Sequence, residues 1–194
     1  MKNDLVLAGV GGQGILTIAA IIGQVAVGQG IHVKQSEVHG MAQRGGSVLA
    51  HLRLSTSPIK SDLISPGMAD VVVGMEPMEA LRQLTLLSPK GVLLSNTTPI
   101  RNIGDYPELP LILQELRQFP RNAIMDADEM AKAAGSPRAA NMVLLGAISN
   151  FLDFPETLLT EAIQILFARK GNAVVQANLK AFASGRDCSA GLKA

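Results

Sequence analysis

The sequence predicts an α/β fold: a Rossmann-like, mostly parallel sheet flanked by helices, with a helical C-terminal third. Three observations predict it. A short apolar run, Leu5-Val6-Leu7-Ala8, leads at once into Gly9-Val10-Gly11-Gly12-Gln13-Gly14 and then into a long apolar helix. Further apolar runs of strand length alternate with helical stretches through the first two-thirds of the chain. From about residue 139 onward only helical spacing remains. A chain of 194 residues suits one such domain, taken as residues 1–194.

Each element has its own justification. Residues 5–8 read as a buried parallel strand because they are apolar without alternation. Residues 15–27 are apolar on every side, so this helix is expected to pack on more than one face. Gly28-Gln29-Gly30 stops it, and residues 31–35 form the second strand. Residues 36–46 have no clean period and read as a site or docking loop at the carboxyl end of that strand. Residues 47–54 alternate, with Val48, Ala50, Leu52 and Leu54 on one face and His51 and Arg53 on the other. His51 reads as a plain strand histidine. Residues 69–75 are the clearest β-branched strand, and Pro77 near the start of the next helix suits a first turn. Strands follow at 91–96 and 122–126. Between them Pro107 and Pro110 keep 100–110 irregular before a helix at 111–118. The remaining helices are expected at 127–134, 139–153, 155–168 and 172–184. The fourth of these would end near Gly185, leaving a frayed tail that carries Cys188. In the third, Leu158, Leu159, Ala162, Ile163 and Leu166 share roughly one side.

Composition excludes several function classes. With 17 basic and 16 acidic residues the chain is close to neutral, which argues against nucleic-acid binding by broad phosphate neutralisation. It has no Trp and one Tyr, so base stacking is equally poorly served. A single cysteine, Cys188, builds neither an iron–sulfur cluster nor an internal disulfide, and a reducing cytoplasm fits. Met1-Lys2-Asn3-Asp4 runs straight into the first strand, so no signal peptide is expected. The apolar helix is too short, and too interrupted by Thr17, Gly23 and Gln24, for a membrane span.

The candidate chemistry lies in two glycine-rich stretches. Gly9, Gly11 and Gly14 fit G-x-G-x-x-G after a strand and before a helix, a turn that lets a ligand or another backbone approach closely. The free N–H groups at the helix start favour an anion there. The second stretch, Glu37-Val38-His39-Gly40-Met41-Ala42-Gln43-Arg44-Gly45-Gly46, follows the second strand and concentrates an acid, a histidine, a glutamine and an arginine between glycines. Glu37 also stands about where a dinucleotide fold places its ribose-binding acid. There is no nucleophile elbow, no metal-ligand spacing among the three histidines and no evident carboxylate pair. The chain therefore reads as a domain that shapes or shares a site.

Taken together, these two stretches resemble the gamma domain of 2-oxoacid:ferredoxin oxidoreductases, nearest its indolepyruvate branch. The likeness continues through Asp70-Val71-Val72-Val73-Gly74, the helix start at Glu76, Gly135-Ser136-Pro137-Arg138-Ala139-Ala140-Asn141 and Lys170-Gly171, so it covers nearly the whole chain. The resemblance implies a complex that oxidatively decarboxylates aryl pyruvates with coenzyme A, giving aryl-acetyl-CoA, carbon dioxide and reduced ferredoxin. Thiamine diphosphate and the 4Fe-4S clusters would sit in a large alpha subunit, and this chain would be active only with that partner. Gly11, Gly12, Gln13 and Gly14 would form an anion-friendly turn. Glu37, His39, Gln43 and Arg44, with Gly45 and Gly46, would line the shared face. Arg44 would bind a carboxylate or a phosphate of coenzyme A, or pair with an acid of the partner. Two rivals remain at this point: a self-sufficient NAD(P)-dependent dehydrogenase resting on Gly9, Gly11, Gly14 and Glu37, and a non-catalytic interaction module.

Overall fold

The computed structural model describes residues 1–40 and 45–192. Six strands form one mixed sheet: β1 (Lys2–Val10), β2 (His32–His39), β3 (Ser47–Ser55), β4 (Ala69–Gly74), β5 (Leu87–Asn96) and β6 (Asn122–Met125). Their order across the sheet is β2-β3-β1-β4-β5-β6. The helices are α1 (Ile15–Gly28), α2 (Pro77–Arg82), α3 (Leu109–Arg117), α4 (Ala127–Ala133), α5 (Ala140–Ser149), α6 (Glu156–Phe167) and α7 (Asn172–Ser189). β1, β4, β5 and β6 run parallel, whereas β3 is antiparallel to both of its neighbours. The α/β fold with a helical last third is therefore as expected, with one antiparallel strand set into an otherwise parallel sheet.

Alternation along the strands divides the core in two. Leu5 and Leu7 of β1, Ala50, Leu52 and Leu54 of β3, and Val71 and Val73 of β4 join the larger cluster with α1, α4, α5, α6 and α7. Val6, Val72 and Leu93 point the other way and join Ala80 of α2 with Ile112 and Leu116 of α3. α5 is buried along its whole length. It crosses α7 so closely that a Cβ at Gly146 would lie 1.9 Å from the Phe182 carbonyl oxygen. A Cβ at Gly185 would lie 1.8 Å from that of Val143. Only glycine permits this backbone approach.

Several boundaries differ from the sequence expectation. β2 runs on to His39, because every residue from His32 to His39 pairs with β3; the docking loop expected over 36–46 is strand in its first part. β5 begins at Leu87, passing through Ser88, Pro89 and Lys90. Pro110, expected to block regular structure, occupies the first turn of α3, where its missing N–H costs nothing. α7 continues through Gly185 to Ser189, and a short 3-10 turn (Ala190–Leu192) follows, so the tail is not frayed there. Asn150 fixes this end by donating to the Arg186 carbonyl at 2.7 Å and to Ser189 Oγ at 2.8 Å. On α6 the buried residues are Leu159, Ala162, Ile163 and Phe167; Leu166 is exposed. α1 buries its sheet-facing side against β1, β3, α5 and α6, while Leu16 and Val27 face outward.

Candidate functional site at the carboxyl edge of the sheet

The site is built where β1 ends. Gly9 lies where a Cβ would meet Met75 Cβ at 2.8 Å and Ile15 Cδ1 at 2.9 Å, so the end of β1 can seat against β4 and α1 only without a side chain. Gly12 and Gly14 have φ of +104° and +84°, and Gly14 is the N-cap of α1 with no side-chain cap. A Cβ on Gly14 would lie 2.6 Å from Asn141 Nδ2, because α5 leans its first turn on the glycine turn. The N–H groups of Ile15 and Leu16 precede the first paired one, that of Thr17 to the Gly14 carbonyl at 3.1 Å, and lie at the positive end of the helix dipole.

Two amides hold this edge from within. Gln13 Oε1 accepts from the Val10 N–H at 2.7 Å, and its Nε2 donates to the Met75 carbonyl at 2.9 Å. Asn96, fully buried at the end of β5, donates to the same carbonyl at 3.2 Å and to Asp128 Oδ2 at 2.8 Å, and accepts from the Ala127 N–H at 2.9 Å. β1, β4 and β5 and the start of α4 are thus stitched at one point. Gln13, expected as part of an anion-friendly turn, has its side-chain amide committed to the two strand ends.

The second glycine-rich stretch returns onto the first. The Gly11 N–H donates to the Gly46 carbonyl at 2.8 Å, and the Gly45 N–H to the Gly11 carbonyl at 3.4 Å. Gly45 has φ of +80°. A groove of about 420 Å³ opens beside this contact, lined by Gly11, Gly12 and Gly14, by Ile15 and Leu16 of α1, by Val48 of β3, and by Glu37 and His39 of β2. On the other side of Gly12 and Gln13 lies a hollow of about 370 Å³ bounded by Met75, Asn96, Asp128, Arg138 and Asn141. Glu37 and His39 alternate with Val38, so both project on the groove side of β2. His39 Nδ1 lies 3.1 Å from the Gly40 carbonyl oxygen, which can only accept, so Nδ1 is the donor in that contact.

The structure therefore brings Gly11, Gly12, Gly14, Glu37 and His39 to one groove, with Gly45 and Gly46 bonded to its floor. Gly9 serves packing. Gln43 and Arg44 lie outside the described residues. His51 is structural as expected: it is buried and its Nδ1 accepts from the Ile64 N–H at 3.0 Å. Burial, then the nearby Arg53 charge, pushes its pKa below the ordinary histidine value. Residues that sequence reasoning passed over are Asn96, Asn141, Glu76 and Glu79. A polar residue ending an apolar strand was the available signal for Asn96, and a Glu directly before Pro77 was the signal for a capping carboxylate at position 76.

The dinucleotide reading meets an obstacle in the sheet order. In that fold β2 lies beside β1, and its terminal acid reaches the ribose. Here β3 stands between them, which sets Glu37 about two strand spacings, roughly 10 Å, from β1.

The family pattern described as pyruvate ferredoxin/flavodoxin oxidoreductase matches residues 4–188. This chain belongs to that family. Among curated relatives it is 39% identical to indolepyruvate oxidoreductase subunit IorB of Archaeoglobus fulgidus, covering 95% of this chain and 94% of that one. It is 35% identical to the subunit of the same name from Thermococcus kodakarensis, with the same coverage of both chains. Among solved structures, it superposes on 2-oxoglutarate:ferredoxin oxidoreductase from Magnetococcus marinus with a TM-score of 0.77 at 22% identity. The match covers 98% of this chain and 31% of that one, so the chain corresponds to about a third of that polypeptide. Pyruvate oxidoreductase subunit PORC from Thermotoga maritima superposes with a TM-score of 0.72 at 21% identity, over 96% of each chain. These two structures establish the fold of the oxidoreductase domain for this chain.

The residues present do not fit an iron–sulfur cluster held by this chain alone. Cys188 is the sole cysteine and lies exposed on α7, and no group of three potential metal ligands occurs among the described residues. No helix among the described residues is long and apolar enough to cross a membrane.

Proposed function

We propose that this chain is the small subunit of an indolepyruvate, or more broadly aryl-2-oxoacid, ferredoxin oxidoreductase. The complex would convert an aryl pyruvate and coenzyme A to aryl-acetyl-CoA and carbon dioxide while reducing ferredoxin. The observation that carries this reading is the similarity to indolepyruvate oxidoreductase subunits along 95% of the chain. The geometry is in keeping with it: the carboxyl edge offers a groove with anion-friendly backbone at one wall and Glu37 and His39 at the other, yet, among the described residues, no nucleophile with its base. Such an edge completes a site rather than housing one.

The division of labour follows from the donor set. A large partner subunit would supply thiamine diphosphate, which stabilises the carbanion left by decarboxylation, and the 4Fe-4S clusters that take up the electrons. This chain would bind at that subunit with its carboxyl edge, in the cytoplasm. The turn at Gly12 and Gly14, with the start of α1, would bring backbone N–H groups to an anionic group, Gly11 holding the turn to Gly46, and Arg44 would bind a carboxylate or a phosphate of coenzyme A.

The test is reconstitution. The isolated chain is expected to be colourless and to show no turnover of indolepyruvate with coenzyme A and ferredoxin. Addition of the large subunit is expected to produce turnover dependent on coenzyme A. Turnover by the pure single chain, or none in a complex whose clusters and thiamine diphosphate are demonstrably in place, would refute the reading.

A further inference from the structure

The first turn of α2 carries two carboxylates that are almost completely buried: Glu76 is 1% exposed and Glu79 is 2% exposed. Neither lines the groove. Burying a carboxylate is costly unless its oxygens are satisfied, and a helix start is served equally well by a small hydroxyl side chain. Two buried acids in one turn call for an explanation beyond capping.

Their partners supply it. Glu76 Oε2 caps α2 by accepting from the Glu79 N–H at 2.9 Å. Its other oxygen, Oε1, accepts from the Ile100 N–H at 3.3 Å and from the Tyr106 hydroxyl. Glu79 Oε1 pairs with Arg82 at 2.7 Å, and its Oε2 accepts from Ser47 Oγ at 2.6 Å. The outward-facing oxygens thus reach two different segments, and these segments meet at the glycine turn. Ser47 directly follows Gly46, whose carbonyl receives the Gly11 N–H. The loop of residues 97–108, held by Ile100 and Tyr106, places Asn102 so that its Nδ2 donates to the Gly45 carbonyl at 2.6 Å. Burial, and then the bond to Glu76, push the Tyr106 phenol well above its ordinary range, so it remains a donor at neutral pH.

We propose that Glu76 and Glu79 are positioning residues that fix Gly45, Gly46 and Ser47 against the glycine turn and so set the shape of the groove floor in the assembled oxidoreductase. One carboxylate acts through Ser47 from β3, the other through Tyr106 and Asn102 from the opposite side. The inference rests on the proposed function for its catalytic readout and on the fold alone for its structural one.

The test uses Ser47→Ala, Tyr106→Phe and Asn102→Ala, with Ser47→Thr as the conservative variant that keeps the hydroxyl. In the complex with the large subunit, each of the first three is expected to lower kcat/KM about fivefold, the worth of one ordinary hydrogen bond, mainly through KM. Ser47→Thr is expected to restore the wild-type value. In the free full-length chain, amide exchange at Gly11 is expected to quicken by a similar factor in the same three variants and to return to normal in Ser47→Thr. Unchanged KM values in an active complex would overturn the proposal, as would a loss that Ser47→Thr fails to rescue. If the wild-type complex turned over no indolepyruvate, the proposed function would fail. Exchange at Gly11 would then decide the positioning role by itself, and an unaltered rate would overturn it.

Discussion

The face of the sheet covered by α1 and α5 and the face covered by α2 and α3 bury different kinds of group. On the first, the buried polar residues of α5, α7 and the turn after α5 are neutral, namely Asn141, Ser149, Asn150, Asn178 and Ser189, and α5 approaches α7 to backbone contact. On the second lie all the buried ionisable side chains found among the described residues: Asp4, His51, Glu76 and Glu79. Asp4 and His51 share the parity of Val6 and Leu49, which belong to the smaller cluster. The first face depends on shape and the second on paired charge. The carboxyl edge lies where the two meet, with Asn141 touching it from the first face and Ser47 and Asn102 anchoring it from the second.

The sharpest way to break the comparison is to change size on the apolar face. Gly185→Ala places a methyl 1.8 Å from the Val143 carbonyl oxygen, a backbone atom that cannot move without shifting α5. A cost of about 3 kcal/mol or more is expected, read as a fall of roughly 10 °C in Tm. Gly28→Ala in α1 is the control. Nothing lies within 4 Å of that position, so Tm should hold or rise slightly. Equal effects from the two substitutions would show that the helix crossing is not the constraint it looks to be.

A smaller effect is expected from breaking charge on the other face. Arg53 holds Asp4 through Nε at 2.7 Å and Nη2 at 3.0 Å, and Lys2 adds a third contact at 3.0 Å. Burial opposes ionisation of Asp4, but the hydrogen bonds from Arg53 and Lys2, with their charges, outweigh it and leave its pKa below the ordinary carboxylate value. Arg53 is itself part-exposed and also donates to the Ser61 and Leu63 carbonyls. Arg53→Met is expected to cost about 2 kcal/mol, less than a fully buried pair because Lys2 remains. Asp4→Asn added to it is expected to recover part of that loss, since no charge is then left buried. Strictly additive losses in the double variant would mean that Arg53 acts by pinning its loop and not by neutralising Asp4.

These two regions also differ in how far the sequence discloses them. The apolar face was legible: continuous runs such as Val71-Val72-Val73 and the all-apolar α1 announce buried elements, and the glycine turn between β1 and α1 announces itself by spacing. Gly185 was misleading because a glycine near a helix end reads as a stop, while here it admits another helix. The charged face was legible only in part: the alternation of β3 set His51 and Arg53 apart from the apolar positions, but did not disclose their partners Asp4 and Ile64. Residues 36–39 lack periodicity because β2 is an edge strand largely open to solvent, and its hydrogen bonds come from β3, a partner that local pattern does not reveal. The insertion of β3 between β1 and β2 is likewise a long-range choice. Of the candidate site, the glycines, Glu37 and His39 were legible as a cluster. The commitments of Gln13, Glu76 and Glu79 were not, because each depends on a residue at least thirty positions away.

The smallest expected effect separates the faces by pH. In the unfolded chain His51 takes up a proton below its ordinary value of 6.5 and Asp4 below 3.8. In the folded chain both pKa values are lowered, so each group binds its proton only at a more acid pH. Between the unfolded and folded values the unfolded state holds more protons, and stability falls as pH falls. The contribution of His51 is therefore complete above about pH 6.5 and is lost progressively below it; that of Asp4 is complete above about pH 3.8 and is lost further down. Protonation of His51 would also turn its Nδ1 from acceptor to donor, facing the Ile64 N–H that it now receives at 3.0 Å. His51→Gln replaces the ring with a neutral acceptor. Urea denaturation at pH 8, 6 and 5 is expected to show wild-type stability declining across that range, with the decline visibly flattened in His51→Gln. Parallel declines would place the acid-sensitive group elsewhere.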